Sequence, residues 1–301
     1  MAYDGASGQV RTVTDLRGDG SDGWEINGSA ISVDRTRIAI SSLYGATQAD
    51  VDTMLPTQHI WTFASDGSDF RRLTPVFPNT GGGRNQFAIE VRNPSFSRTG
   101  ADVLYGYGEY WYEGTTLKGG SGIWSVGAAG GKLPALFAAP SPCSLVDPSV
   151  DPKSGRVAVI HNVCAGPGDG IYLYAEDGSG APEKLVASDG TLDVQLEPVR
   201  WAADGSGFVF VASSTVAISG TNTIVRGLYA FDMAAHKVIP VVVPQVADTA
   251  VVDGAAAPDA TAIVYCLREG TVQNLHFIDL TKSPATDAAI TNDGKSCHPI
   301  W

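Results

Sequence analysis

The stretch Asp147-Pro-Ser-Val-Asp-Pro-Lys-Ser-Gly-Arg-Val-Ala-Val-Ile160 has the pattern of a β-hairpin. A short strand enters a polar turn rich in Asp, Pro and Gly, and a β-branched run returns from it. Variants of this stretch recur at intervals of roughly fifty residues, which is typical of a repeat protein. The related pairs of segments are 28–31 with 38–40, 93–96 with 103–105, 197–201 with 208–210, and 253–256 with 263–265.

Two further strand patterns follow each hairpin. Apolar and aromatic residues alternate with period two in the third segments, as a half-buried strand requires. These third segments are 59–63, 122–126, 170–174, 227–231 and 274–278. A turn rich in Asp and Gly then leads to the fourth segments, 70–74, 132–136, 183–186, 237–241 and 287–290. Four antiparallel strands per repeat are typical of a β-propeller blade.

The count of repeats predicts an all-β, six-bladed β-propeller that forms a single domain over residues 1–301. Five blades are expected at about 27–78, 90–139, 144–189, 194–244 and 249–292. The sixth would be closed by strands from both ends of the chain, 1–16 and 296–301, which removes open sheet edges. Because no second strand follows Trp301, we expect either a shortened chain or direct pairing of the N-terminal strand with residues 298–301.

Charge and composition limit the classes of partner. The net charge of −12 disfavours nucleic acids and anionic membranes, since phosphate binding needs clustered Lys and Arg. No apolar run approaches the roughly eighteen residues of a membrane-spanning helix. We therefore expect a monomer that binds a protein or a small neutral or cationic ligand.

Two of the four cysteines fall at matched hairpin positions. If the hairpin turns near Pro152, Val150 faces Val157, and the same register places Cys143 opposite Cys164. This predicts a cross-strand disulfide, with two free buried thiols as the alternative. A second pair, Cys266 with Cys297, would form only if neighbouring repeats bring these residues together. No CxxC or HxxxH spacing indicates a zinc site.

The end of the repeat resembles a known family. Residues 60–74, Ile-Trp-Thr-Phe-Ala-Ser-Asp-Gly-Ser-Asp-Phe-Arg-Arg-Leu-Thr, together with the hairpin segments 93–100 and 201–205, are similar to the WD-like propeller repeat of the TolB family. The resemblance covers almost the whole chain and is specific for the fold, whereas many unrelated functions share this repeat. It implies a periplasmic or secreted protein.

Equivalent polar residues occur at the first strands of successive blades. Since innermost strands run along the channel of a propeller, these positions predict a ring around its axis, formed by Asn93, Asp147, Glu197, Asp253 and His298. Such a ring could hold a hydrated divalent cation, or a Lys, Arg or amine group of a ligand. The alternative is a water-filled polar channel. No other cofactor is expected, and no GxSxG motif indicates a hydrolase nucleophile.

Long insertions are expected between the second and third strands, at 44–57, 106–120 and 213–223. The second insertion is rich in aromatic residues and is interpreted as a loop. Its aromatic side chains could form a ligand-stacking surface or could pack between blades. The residues concerned are Tyr107, Tyr110, Trp111 and Tyr112.

These features favour a binding scaffold over an enzyme. No residue is assigned a catalytic role. The alternative function is a lyase-like or hydrolase-like enzyme with a metal-assisted site at the mouth of the channel, and metal content would distinguish the two hypotheses.

Overall fold

The structure is a computed structural model. It describes residues 2–4, 9–11, 26–42, 58–74, 85–131, 134–138, 143–164, 168–257, 259, 261–282, 286–295, 297 and 299. The regular secondary structure of these residues is entirely β-strand, so the described chain contains no helix able to cross a membrane. The chain forms two compact units. The first comprises Met1–Gly120 and Trp124–Ala135, and the second comprises Ser121–Ile123 and Leu136–Trp301.

The N-terminal part of the chain contains a two-stranded sheet and a four-stranded sheet. Strands β1 (Ala2–Asp4) and β2 (Gln9–Arg11) pair only with each other among the described strands. The first four-stranded sheet consists of β3 (Ile26–Ile31), β4 (Arg37–Ser42), β5 (His59–Ala64) and β6 (Arg71–Arg72).

The second sheet has long strands. It consists of β7 (Asn85–Phe96), β8 (Asp102–Glu113), β9 (Thr116–Gly127) and β10 (Ala135–Ala138). The third sheet consists of β11 (Ser144–Val150), β12 (Val157–Asn162), β13 (Gly170–Tyr174) and β14 (Glu183–Ala187).

The fourth sheet has a divided first strand. It consists of β15 (Leu192–Val194), β16 (Arg200–Trp201), β17 (Gly207–Ile218), β18 (Thr221–Asp232) and β19 (Lys237–Val242). Both β15 and β16 pair with β17. The fifth sheet consists of β20 (Thr249–Ala256), β21 (Ala262–Glu269), β22 (Val272–Asp279) and β23 (Thr286–Ala289).

The predicted number of blades is wrong. Each of the five large sheets follows the chain order as an antiparallel meander, so the described residues form five blades rather than six. The expected closing blade does not form from these residues, because β1 and β2 make a separate sheet. The C-terminal segment instead follows the fifth blade, where Lys295 bridges Gln273 and Cys297 is bonded to Cys266 of β21. This bond ties the end of the chain to a blade that is already complete.

Each compact unit has an apolar core built from the alternating residues of its strands. In the first unit, Ile60, Val91 and Val103 are fully buried beside Tyr105. In the second unit, one cluster joins the third and fourth sheets through Ile160, Ile171, Phe208 and Phe231. Another cluster joins the fourth and fifth sheets through residues such as Leu228 and Tyr265.

The turns between strands are stabilised by aspartate side chains. In a representative turn, Asp66 Oδ1 accepts hydrogen bonds from the Ser68 hydroxyl at 2.6 Å and the Ser68 N–H at 2.9 Å. Such hydrogen bonds stabilise the ionised carboxylate and therefore lower the pKa of the turn aspartates, and the bond from the hydroxyl group has the largest effect. The residues concerned are Asp34, Asp66, Asp177, Asp189, Asp204, Asp259 and Asp279.

Two of the three predicted insertions are strands rather than loops. The segment 106–120 continues β8 and β9, and the segment 213–223 continues β17 and β18. Ser219 and Gly220 close the second hairpin with φ angles of 50° and 80°, as in the two-residue turns that match strand twist. In the segment 213–223, β-branched residues alternate with other residues, which is typical of an extended strand pair. The third predicted insertion, 44–57, lies outside the described residues.

Candidate functional site

The first strand of each sheet is irregular at an equivalent place. Its pairing with the second strand shifts register in the first, second, third and fifth sheets, and in the fourth sheet a gap separates β15 from β16. The shifts lie between Ile26 and Gly28, Arg92 and Ser95, Val146 and Ser149, and Val251 and Asp253. Four of the predicted ring residues therefore lie within or beside these irregularities.

The sequence explains why the ladder breaks there. Proline follows directly after Asn93, Asp147 and Glu197, and it has no N–H to donate to a neighbouring strand. Asn93 and Asp147 also have left-handed backbone conformations, with φ angles of 50° and 56°. Asn and Asp tolerate this conformation better than other side chains that carry a Cβ atom. An interruption of the strand pairing changes the direction in which nearby side chains point, as β-bulges commonly do.

Three of the predicted acidic residues come together in the second unit with two arginines. The Arg226 guanidinium donates to Glu197 Oε1 at 3.0 Å and to the Val252 carbonyl at 3.2 Å. Arg200 donates to Asp253 Oδ2 at 3.3 Å. We call this group the acid–arginine cluster; its members are Asp147, Glu197, Arg200, Arg226 and Asp253.

The acid–arginine cluster has a closed side and an open side. Asp147 and Asp253 are buried, with relative exposures of 0% and 1%. The side chains of Glu197 and Arg226 are 23% and 28% exposed. A ligand would therefore meet the ion pair of Glu197 and Arg226 first.

The carboxylates of the cluster influence one another. Burial, followed by the negative charge of Asp253, raises the pKa of Glu197, and Asp147 adds to this effect. The charge and hydrogen bonds of Arg226 oppose the increase, but the pKa stays above its ordinary value. The neighbouring carboxylates therefore disfavour the ionised form of Glu197, and a positive charge placed beside it would favour that form.

Sequence reasoning did not identify the two arginines. Arg200 lies one residue before the predicted strand anchor Trp201, and Arg226 stands between the buried Val225 and the third-strand pattern. A charged residue within an apolar strand is rarely buried without a partner, and this signal could have indicated an ion pair. The remaining ring members are placed elsewhere: Asn93 belongs to the first compact unit, and His298 lies outside the described residues.

The predicted aromatic loop is part of strand β8. Tyr107 packs against the core of the first unit and meets Trp124 edge to face, with ring centroids 5.6 Å apart. Strand alternation directs Tyr110 to the opposite face from Tyr107 and Trp111. The side chain of Tyr112 lies outside the part of the chain that the structure describes. Packing against the apolar core of the first unit is therefore sufficient to account for an aromatic residue at Tyr107.

Both cysteine pairs form disulfides. The predicted facing of Val150 and Val157 is present, and Cys143 and Cys164 are bonded with Cα atoms 4.2 Å apart. The second pair, Cys266 and Cys297, has a Cα separation of 5.0 Å. Two disulfides are consistent with an oxidising compartment such as the periplasm or the extracellular space.

A half-buried histidine lies beside the first disulfide. His161 stacks on Tyr172 with centroids 3.8 Å apart, and its Nε2 lies 2.8 Å from the Tyr174 hydroxyl. Burial, followed by the positive charge of Lys184, lowers the pKa of His161 from 6.5 to about 4. One of its ring nitrogens lies within 4.8 Å of both sulfur atoms. Because the sulfurs are bonded to each other, they are not available as thiolate ligands.

A cavity of about 1000 Å³ lies at the turns of the second unit. Its polar lining is largely engaged within the turns: Asp204 accepts the Ser206 N–H and Asp232 accepts the Ala234 N–H, each at 2.9 Å. The acid–arginine cluster instead brings ionisable side chains together at equivalent positions of successive blades, and its Glu197 is partly exposed. We therefore take the cluster as the candidate binding site.

Comparison with solved structures agrees with the blade-type sheets. TolB from Agrobacterium tumefaciens superimposes with a TM-score of 0.60 at 15% identity, covering 96% of this chain and 86% of that one. The chain has a β-propeller fold. A puromycin-hydrolysing peptidase from Mycobacterium tuberculosis gives a TM-score of 0.50 at 12% identity, over 90% of this chain and 38% of that one. A chain of the nidogen/laminin complex gives a TM-score of 0.51 at 12% identity, and the match covers 87% of this chain and 78% of that one.

These similarities show the fold only, because proteins with such low sequence identity can share a fold and differ in function. No protein-family model and no curated protein sequence match the chain. Function must therefore be argued from the acid–arginine cluster itself.

Proposed function

We propose that this propeller is a non-enzymatic binding scaffold of the periplasm or the extracellular space. Its ligand or partner protein presents a cationic group, such as a Lys or Arg side chain or an amine, to the acid–arginine cluster. The observation that carries the proposal is the partly exposed ion pair of Glu197 and Arg226 at the broken first strands, where burial and the nearby Asp253 and Asp147 raise the pKa of Glu197.

The geometry supports a cationic guest in two respects. The partly exposed Glu197 gives an approaching ligand access to the cluster, while the buried Asp147 and Asp253 supply a fixed negative charge behind it. A bound cation would relieve the repulsion that raises the pKa of Glu197, so part of the binding energy comes from completing the charge balance. Arg200 and Arg226 each hold one of these carboxylates in place through an ion pair.

The oxidising setting is supported by the two disulfides and by the shared fold with TolB. Structural disulfides persist in secreted and periplasmic proteins and are rare in the cytosol.

Calorimetric titration tests the proposed function. The full chain is titrated with a short Lys- and Arg-containing peptide and a small alkylamine, and separately with Ca²⁺ and Mn²⁺. We expect the peptide and the amine to bind, and Asp147→Asn or Asp253→Asn to weaken binding by about tenfold, or about 1.4 kcal/mol. Asp253→Asn keeps an oxygen that can accept the Gly254 N–H.

Asp193→Asn is the matched control, because it removes the same charge from an exposed residue of β15. Equal binding by this variant and the wild-type protein would locate the effect in the cluster. Absence of binding by both cationic probes would refute the proposal. Stoichiometric binding of a divalent ion in their place would favour the metal-assisted enzyme.

A further inference from the structure

The fourth blade carries a hairpin that extends beyond its neighbouring strands. Strands β17 and β18 pair continuously from Gly207 and Asp232 to Ile218 and Thr221. On one side, β15 pairs with β17 only as far as Ser214. On the other side, β19 pairs with β18 only from Leu228 to Asp232. Residues 215–218 and 221–225, which we call the arm, are therefore two-stranded in the described part of the chain.

The arm has open hydrogen-bonding edges. Within the described residues, no strand pairs with the outer edge of either half of the arm. Every second residue of an antiparallel edge directs its N–H and C=O groups outward. Such an edge is a template for pairing with another strand.

The sequence of the arm lacks the features that normally protect an edge. No charged residue and no proline occurs between Gly207 and Val225 in a chain whose net charge is −12. Natural edge strands are usually blocked by Lys, Pro or a bulge, whereas β17 and β18 pair without a register shift along the arm. The arm is thus regular, uncharged and rich in β-branched residues.

One face of the arm is exposed and uncharged, and it carries an exposed Ile side chain. Ile224 is 75% exposed, and its cross-strand partner Thr215 is also exposed. The next pair on this face is Asn222 with Ala217, and both residues are exposed. An isolated Ile side chain at the surface is common; an Ile on an unprotected edge is the arrangement that favours association.

We propose that the arm is a homodimerisation surface in which the β18 edge of one copy pairs antiparallel with the β18 edge of a second copy. An antiparallel pair of identical strands has twofold symmetry, so the same surface serves both copies. The absence of charge allows two strongly acidic chains to approach here, while repulsion opposes contact elsewhere. The partner strand therefore needs the length, neutrality and β-propensity that this arm already has.

The symmetry defines which side chains meet. If Thr223 lies on the twofold axis, Ile224 of one copy faces Asn222 of the other, and the two Ile224 side chains lie diagonally on one face about 7 Å apart. Pairing of this short segment buries much less than about 1,200 Å², so the dimer should be weak and reversible.

Sedimentation equilibrium of the full chain from about 10 μM to about 1 mM tests the dimer. We expect concentration-dependent association that Ile224→Lys weakens at least about tenfold, because two ammonium groups would meet near the axis. Val246→Lys is the matched control, since Val246 is 65% exposed outside the arm and the charge change is the same. A protein that stays monomeric at every concentration would overturn the proposal, because the edge would then not bind a second copy of this chain.

Disulfide trapping provides an independent test. All four native cysteines are paired, so Thr223→Cys introduces one free thiol at the expected axis. Mild oxidation should convert this variant to a covalent dimer within the native fold. A variant with the cysteine at Val246 should give little cross-linking, and equal cross-linking by both variants would contradict pairing through the arm.

Discussion

Trp201 donates a hydrogen bond from its indole N–H to the Ser149 carbonyl, with Nε1 and O 3.1 Å apart. The bond joins the first strand of the fourth blade to the first strand of the third. The indole also meets Phe208 edge to face, with centroids 4.9 Å apart. Trp201 therefore combines packing within its own blade with a polar contact to its neighbour.

Replacing Trp201 with Phe keeps a ring against Phe208 and removes the N–H. We expect a loss of about 1 kcal/mol in the free energy of unfolding, with a smaller addition from the lost ring volume. Guanidinium denaturation measures the change. An unchanged midpoint would show that the inter-blade bond contributes nothing to stability.

Removing the first disulfide should destabilise the third blade. Cys143 and Cys164 are 21 positions apart, and closing a loop of this size stabilises by about 3 kcal/mol in the chain-entropy model. The double variant Cys143→Ala/Cys164→Ala should lose about this amount in denaturant titration. Selective removal of the Cys266–Cys297 bond is the comparison. A loss below about 0.5 kcal/mol for the first pair would contradict the prediction.

The half-buried His161 should make the fold sensitive to mild acid. Its pKa is about 4 in the folded protein, below the ordinary value of 6.5, so the unfolded chain binds the proton more readily between these values. Stability should therefore fall as pH decreases from 6.5 to 4, by on the order of 3 kcal/mol.

His161→Gln should remove this part of the pH dependence, which unfolding titrations at several pH values would measure. The turn aspartates act in a different range: their lowered pKa values make stability fall only as pH decreases through about 4 and below. A variant that retained the full decrease between pH 6.5 and 4 would exclude His161 as its source.

Binding of a cationic probe should strengthen as pH rises through the raised pKa of Glu197. The bound cation stabilises the ionised carboxylate, so binding releases a proton while Glu197 is still partly protonated. Calorimetry in two buffers with different ionisation enthalpies measures this release. Glu197→Gln should abolish the proton release; its persistence in that variant would assign the titration to another group.

The first two blades should be sensitive to a single methyl group. A Cβ atom added at Gly28 would overlap Asn93 Oδ1 and lie 2.9 Å from the Asn93 Cα. Gly28→Ala should therefore cost about 1–3 kcal/mol through overpacking. Adding Asn93→Gly, which keeps the backbone conformation accessible, should recover part of the loss. Complete additivity of the two changes in thermal unfolding would refute the contact.

The hairpin register was readable from the sequence because it depends on local alternation. Val150 faces Val157 as expected. The ladder then shifts by one residue between Val146 and Ser149, and the Cys143–Cys164 disulfide forms beyond the last pair, Ser144 with Asn162. The number of blades was not readable, because the terminal segments resemble strands whether or not they join a common sheet. In the structure, β1 and β2 form a separate sheet, and Cys297 is bonded to Cys266 of the fifth blade. The pairing of distant cysteines depends on tertiary structure, so the sequence could not predict it.

The candidate site was predictable only in part. The positions of Asp147, Glu197 and Asp253 follow from the repeat, since equivalent residues occupy equivalent places in successive blades. Their ion pairs with Arg200 and Arg226 do not, because Arg226 comes from a third strand whose polar face cannot be assigned by alternation alone. The segment from Tyr107 to Tyr112 was expected to be a loop, but it lies in strand β8. A ligand-stacking role of its side chains stays a prediction.

The meander order of the blades has a consequence for how the chain folds. Within each sheet, strands pair with their successors in the sequence, so most of the hydrogen-bonded ladders close over short stretches of chain. Such local ladders lower the entropy cost of the early steps compared with sheets of distant strands. The long hairpin of β17 and β18, with its tight turn at Ser219 and Gly220, is the element best suited to form first. Assembly would then spread from blade to blade, as in other repeat proteins.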